Sequence, residues 1–96
     1  MATEPMAVRK YVRKNRSTIY NLSSKGALEY VIKAGYVSVS NSIRDSDGYS
    51  RFQVDNIKKV NDWCDNTFNN KHWIYMFHHW FFTKHDDSTM FKLTWL

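Results

Sequence analysis

The chain has 96 residues, 43% of them hydrophobic and 17% aromatic, and carries a net charge of +5. That length makes a single domain near the size at which one core suffices without staples, and the lone Cys64 excludes an intrachain disulfide. The most apolar stretch, "HWIYMFHHWFF", is too short and too rich in histidine to span a bilayer. With no charged-then-apolar leader, a reducing, cytoplasmic setting is the expectation.

In chain order, Met6 to Val12 reads as a short helix after Pro5, with Val8 and Val12 four apart on its buried face. Asn15 to Ser17 reads as a turn. Ser17 or Thr18 can then cap a second helix over residues 17–25, because a hydroxyl there accepts an otherwise unpaired backbone N–H. Ile19 and Leu22 point inward at a spacing of three, and Thr18, Tyr20, Asn21, Ser24 and Lys25 point outward. Gly26 is the expected left-handed stop. A second local reading starts a helix at Ser23 and runs it to Ala34, with Leu28, Val31 and Ile32 as the buried stripe. Placing Gly26 inside that helix costs about 1 kcal/mol against alanine.

Tyr36 to Ile43 alternates apolar and small polar residues, the signal of a half-buried strand. "RDSDG" is turn chemistry and "YSRFQV" a returning strand, so the two form a hairpin with its tip at 44–48. Asp55 is the expected cap of a helix whose Ile57, Val60, Trp63 and Cys64 share a face and which ends near Asn69 and Asn70. Residues 70–96 read as a second, aromatic hairpin of long strands, with Asp86 and Asp87 in its turn. Both sides of its first strand are apolar, so both need covering.

The positive charge is concentrated. Between Pro5 and Leu28 stand Arg9, Lys10, Arg13, Lys14, Arg16 and Lys25 with no acid, while the rest of the chain holds eight Lys and Arg against nine acids. A single-signed segment with hydroxyl and amide side chains suits a polyanion, since each neutralised phosphate releases counterions. Nucleic acid is the leading expected partner. A solvated basic face is the bland alternative.

The stretch "NRSTIYNLSSKGAL" resembles the turn and recognition helix of winged helix-turn-helix proteins of the excisionase and MerR type. The matching residues are Ser17, Thr18, Ile19, Tyr20 and Leu22, then Gly26 and Leu28, then a strand-rich wing over 36–54, then a helix with Trp63. The resemblance implies an α+β fold of one domain, residues 1–96, with a winged helix-turn-helix core at 1–69 and an extra C-terminal hairpin at 70–96. It implies a double-stranded DNA-binding protein, a transcription regulator or a phage-type DNA recombination factor, with helix 17–25 in the major groove. Arg9, Lys10, Arg13, Arg16 and Lys25 would meet the backbone, Ser17, Thr18, Tyr20, Asn21 and Ser24 would lie along the groove with Asn21 able to bond adenine, and Arg44 and Arg51 would serve the wing.

The alternative of a different class is a small inhibitor or adaptor that binds a host protein, or a second copy of itself, through the aromatic hairpin. Trp73, Tyr75, Trp80 and Trp95 would then be its contacts. No catalytic chemistry is expected. Cys64 falls on a buried helical stripe, the histidines match no closed zinc spacing, and there is no glycine-rich phosphate loop, so neither metal nor cofactor is anticipated.

Overall fold

The computed structural model describes residues 5–40 and 54–95. Its elements in order are α1 (Val8–Lys14), α2 (Arg16–Tyr20), α3 (Ser24–Lys33), β1 (Val37–Ser40), α4 (Val54–Thr67), a 3-10 turn (Asn70–His72), β2 (Trp73–Met76), β3 (His79–Phe82) and α5 (His85–Trp95). The described residues therefore form an α+β fold of five helices and one three-stranded antiparallel sheet, ordered β1-β3-β2.

Strand β3 is central, and its sequence explains why. Trp80, Phe81 and Phe82 are consecutive and wholly buried, which an antiparallel strand tolerates only when both faces of the sheet are covered. On one face Met76 and Phe81 pack with Val8 and Val12 of α1, Ile19 of α2, Ala27 and Val31 of α3, and Tyr36. On the other, Val39, Trp73, Trp80 and Phe82 pack with Val60 and Cys64 of α4 and Phe91 of α5. Register keeps these sets apart. Trp73 lies opposite Phe82 and Tyr75 opposite Trp80 on one side, with Ile74 opposite Phe81 on the reverse. The expectation that both apolar sides need covering holds, and the helices are what cover them.

The N-terminal helices depart from the expected arrangement. Residues 17–25 do not make one helix: α2 ends at Tyr20, and α3 begins at Ser24 and continues unbroken through Val31 to Lys33. The physical reason is Ser23, whose extended backbone and side-chain oxygen, accepting from the Gly26 N–H at 3.1 Å, start a new helix there. Gly26 thus sits in a first turn instead of ending a helix, and a Cβ on it would stand only 3.2 Å from the Ser23 oxygen. The left-handed stop is Gly35, at φ 104°. Ser17 and Thr18 lie within α2 and cap nothing, and Leu22, expected inside, is exposed. The reading from Ser23 to Ala34 matches α3, except that Ala27 takes the buried place expected of Ile32.

The C-terminal third departs as well. Its hairpin turns at Phe77 and His78, between β2 and β3, so "HWIYMFHHWFF" contains two short strands instead of one long one. Both turn residues have positive φ, 52° and 62°, the pattern of a type I′ turn that normally uses Asn-Gly. A left-handed conformation without glycine costs roughly 1–2 kcal/mol per residue. Residues 85–95 form helix α5 where a strand was expected. Thr89 and Thr94, which favour strands, fit the helix by donating back to the carbonyls of His85 and Met90. Asp86 and Asp87 occupy its first turn, where negative charge suits the helix dipole.

The buried stripes of two helices hold. Val8 and Val12 anchor α1, and α4 buries Val60 and Cys64 with Ile57 and Trp63 packed beside them. Asp55 lies inside α4 rather than before it. The expected hairpin tip at 44–48 and its returning strand, with Arg44 and Arg51, lie outside the described residues. Strand β1 pairs with β3.

Candidate nucleic-acid interface

Helix α1 turns Val8 and Val12 inward, which places Lys10, Arg13 and Lys14 on its exposed side. The side chain of Arg9 takes an intermediate course. It donates to the backbone carbonyls of Asn70 at 2.6 Å and Trp73 at 3.0 Å, and its guanidinium lies 5.2 Å from the centre of the Trp73 ring. Arg9 is therefore a pin joining α1 to β2, not the free phosphate contact that was expected. Its partners are neutral, so its charge stays uncompensated.

Two clefts open beside α1. One, of about 240 Å³, is lined by Ala7, Arg9, Lys10, Arg13 and Lys71. The other, of about 210 Å³, is lined by Arg9, Val12, Arg13, Arg16, Tyr20 and Ile74. They share Arg9 and Arg13 and so lie side by side along the helix, a run of two clefts with five cations and no acid in their linings. The ion pair among the described residues, Lys58 with Asp62 at 3.7 Å, lies elsewhere, on α4.

The other expected contacts are divided. Arg16 and Tyr20 reach the second cleft, with the Arg16 guanidinium 5.8 Å from the centre of the Tyr20 ring. Ser17, Thr18 and Asn21 are exposed on α2 and at its end, and Ser24 and Lys25 are exposed on the first turn of α3. Since a turn separates these groups, they do not form the single polar face that a helix over 17–25 would have offered. Sequence reasoning missed Lys71 and Ile74. The available signal was Asn69, whose side chain accepts from the Lys71 N–H at 3.0 Å and so turns the chain between α4 and β2.

The expected partner-docking face changes more. Trp80 is wholly buried and Trp73 is 4% exposed, so neither can meet a partner, while Tyr75 and Trp95 are half-buried against the same core. The apolar residues that do face outward on α5 are Met90 and Leu93.

Cys64 lies at 0% exposure, and burial, with a smaller contribution from Asp65, pushes its thiol up to about 12. Burial, and then its hydrogen bond with Tyr30, pushes the Tyr11 hydroxyl up to about 12 as well. A thiol held protonated is no nucleophile at neutral pH. The expected results are that Cys64 fails to react with a thiol reagent until the protein is denatured, and that folding stability is intact at neutral pH. Because the unfolded chain ionises these groups first, stability should fall as pH rises from about 9 toward 12. A urea titration at several pH values checks the sign.

No family model, curated protein or solved structure matches this chain in comparisons with each. Among the described residues, no group of three His, Cys, Asp or Glu could hold a metal ion, and no helix is long and apolar enough to cross a membrane.

Proposed function

We propose that this protein is a non-enzymatic DNA-binding protein whose contact is led by the phosphate backbone, along the basic run beside α1. The observation that carries the reading is the lining of the two adjacent clefts: Lys10, Arg13, Arg16 and Lys71 around the pinned charge of Arg9, with no carboxylate among them. Four cations around two adjacent clefts, none of them in an ion pair among the described residues, offer a phosphate chain several charge-assisted contacts at once. Lys71 arrives from a distant part of the chain, so the patch is more than the local run of cations near the N-terminus.

A specific observation favours a second reading, in which duplex is read in its major groove. Helix α2, the three residues Asn21 to Ser23 and helix α3 have the spacing of a helix-turn-helix, which would move the reading helix from 17–25 to Ser24–Lys33. The winged helix-turn-helix resemblance rested on a single helix over 17–25, which is divided here at Asn21 to Ser23, so this reading keeps only the helix-turn-helix spacing. Ser24 and Lys25 would lead into the groove, but Glu29 and Ile32 are also exposed on this helix and suit a groove poorly. The backbone-led reading therefore ranks first.

Fluorescence anisotropy on a labelled oligonucleotide over a salt series tests it. Four phosphate contacts give a slope of log K against log salt of about −3.6 on duplex and about −2.8 on a single strand. A slope near zero, or no binding at low salt, would remove the proposal. Dependence on duplex sequence would favour the groove-reading alternative.

A further inference from the structure

We propose that the run beside α1 accepts an unpaired nucleic-acid strand, with phosphates on its cations and a base stacked on Tyr20; this rests on the backbone-led reading above. The cleft at Arg16 adds Val12, Ile74 and the Tyr20 ring to its cations, so it suits a flat apolar ring beside an anion.

Tyr20 is built for that use. Although the largest wholly buried side chains among the described residues are the aromatic Trp80, Phe81, Phe82 and Phe91, Tyr20 is 57% exposed. Two neighbours pack on it, the Phe77 ring at 5.8 Å and 46° and the Arg16 guanidinium 5.8 Å from its centre, so a base stacked there shares the ring with Arg16. Phe77 comes from the hairpin turn that keeps two non-glycine residues in the left-handed region. That costly turn brings an aromatic support behind the exposed ring. A supported ring loses little freedom when a base stacks on it, and stacking accepts any base.

Stacking separates a strand from a duplex. The bases of a duplex are already stacked and paired, so a duplex meets these exposed cations through its phosphates. An unpaired strand also has free base faces to lay on the Tyr20 ring beside the cleft of about 210 Å³.

The test measures anisotropy of the full chain with a labelled 12-nucleotide single strand and with the blunt duplex of the same sequence, at one ionic strength. The expected result is tighter binding of the single strand by about tenfold, and loss of about that factor in Tyr20→Ala on the single strand alone. Tyr20→Trp should retain the preference, and Tyr20→Leu, which keeps an apolar contact to Phe77, should lose it. Near-ultraviolet circular dichroism establishes that each variant is folded. Equal affinity for the two forms, or an equal loss on both in Tyr20→Ala, would overturn the strand assignment while leaving the backbone-led reading standing. Absence of binding to either form would overturn both.

Discussion

Replacing Trp80 with alanine is expected to cost about 3–5 kcal/mol of folding stability, the range for emptying a buried aromatic site. Trp80 is wholly buried in the central strand, packs against Tyr75 at 4.7 Å and Phe91 at 5.1 Å between ring centres, and donates its indole N–H to the Asn61 side chain at 2.7 Å. Removing it leaves a cavity between β3, α4 and α5 and an acceptor on Asn61 without that donor. A domain of this size has only about 5–14 kcal/mol in total, so the variant should be at or near the edge of folding. Trp80→Phe separates the two effects, because it keeps most of the ring packing and loses the hydrogen bond. Its midpoint in urea should fall between those of the parent and the alanine variant. A midpoint for Trp80→Ala equal to that of the parent would mean that the second core is not organised around this residue.

The other large effect concerns binding. Lys10→Glu combined with Arg13→Glu is expected to weaken binding to nucleic acid by about a hundredfold at moderate salt and to lower the steepness of its salt dependence by about two contacts. Both side chains are exposed and contribute nothing to either core, so the fold should be unchanged. The matching control is Lys58→Glu with Lys59→Glu, which alters net charge equally on the exposed side of α4. If the control weakens binding as much, the run beside α1 is not the interface, and bulk charge accounts for the attraction. Arg9 makes a poor probe for this purpose. Its loss would release α1 from Asn70 and Trp73 and mix a folding defect with a binding defect.

Much of the fold could be read from local pattern, and the failures have a common physical cause. The Val8 and Val12 pair and the Val60 and Cys64 pair each reveal a helix, because a spacing of four has one geometric meaning. Gly26 misleads because glycine near a hydroxyl serves an N-terminal turn as well as a C-terminal stop. The choice depends on whether Ser23 turns its oxygen toward the Gly26 N–H, which composition does not reveal. Residues 85–95 mislead because threonine that bonds back to its own helix loses its strand preference. Phe77 and His78 do not look like turn residues, and only their place between two covered faces of a sheet holds them in that backbone. For the site, the cations of α1 were visible from their one-sided distribution. Lys71 and Ile74 were not, since about sixty residues separate them from the helix they face.

The central position of β3 also bears on how the molecule is made. The first core includes Val8, Val12, Ile19, Ala27 and Val31, but it closes on Met76 and Phe81, and β1 finds its hydrogen-bonding neighbour at His79–Phe82. During synthesis, the three early helices can pack only on one another, with one side of their cluster open, until those late residues have left the ribosome. Folding must therefore wait for most of the chain and then proceed nearly all at once, through contacts that join distant parts of it. A chain halted at Asn69 would hold its early helices with the apolar side meant for Met76 and Phe81 still uncovered.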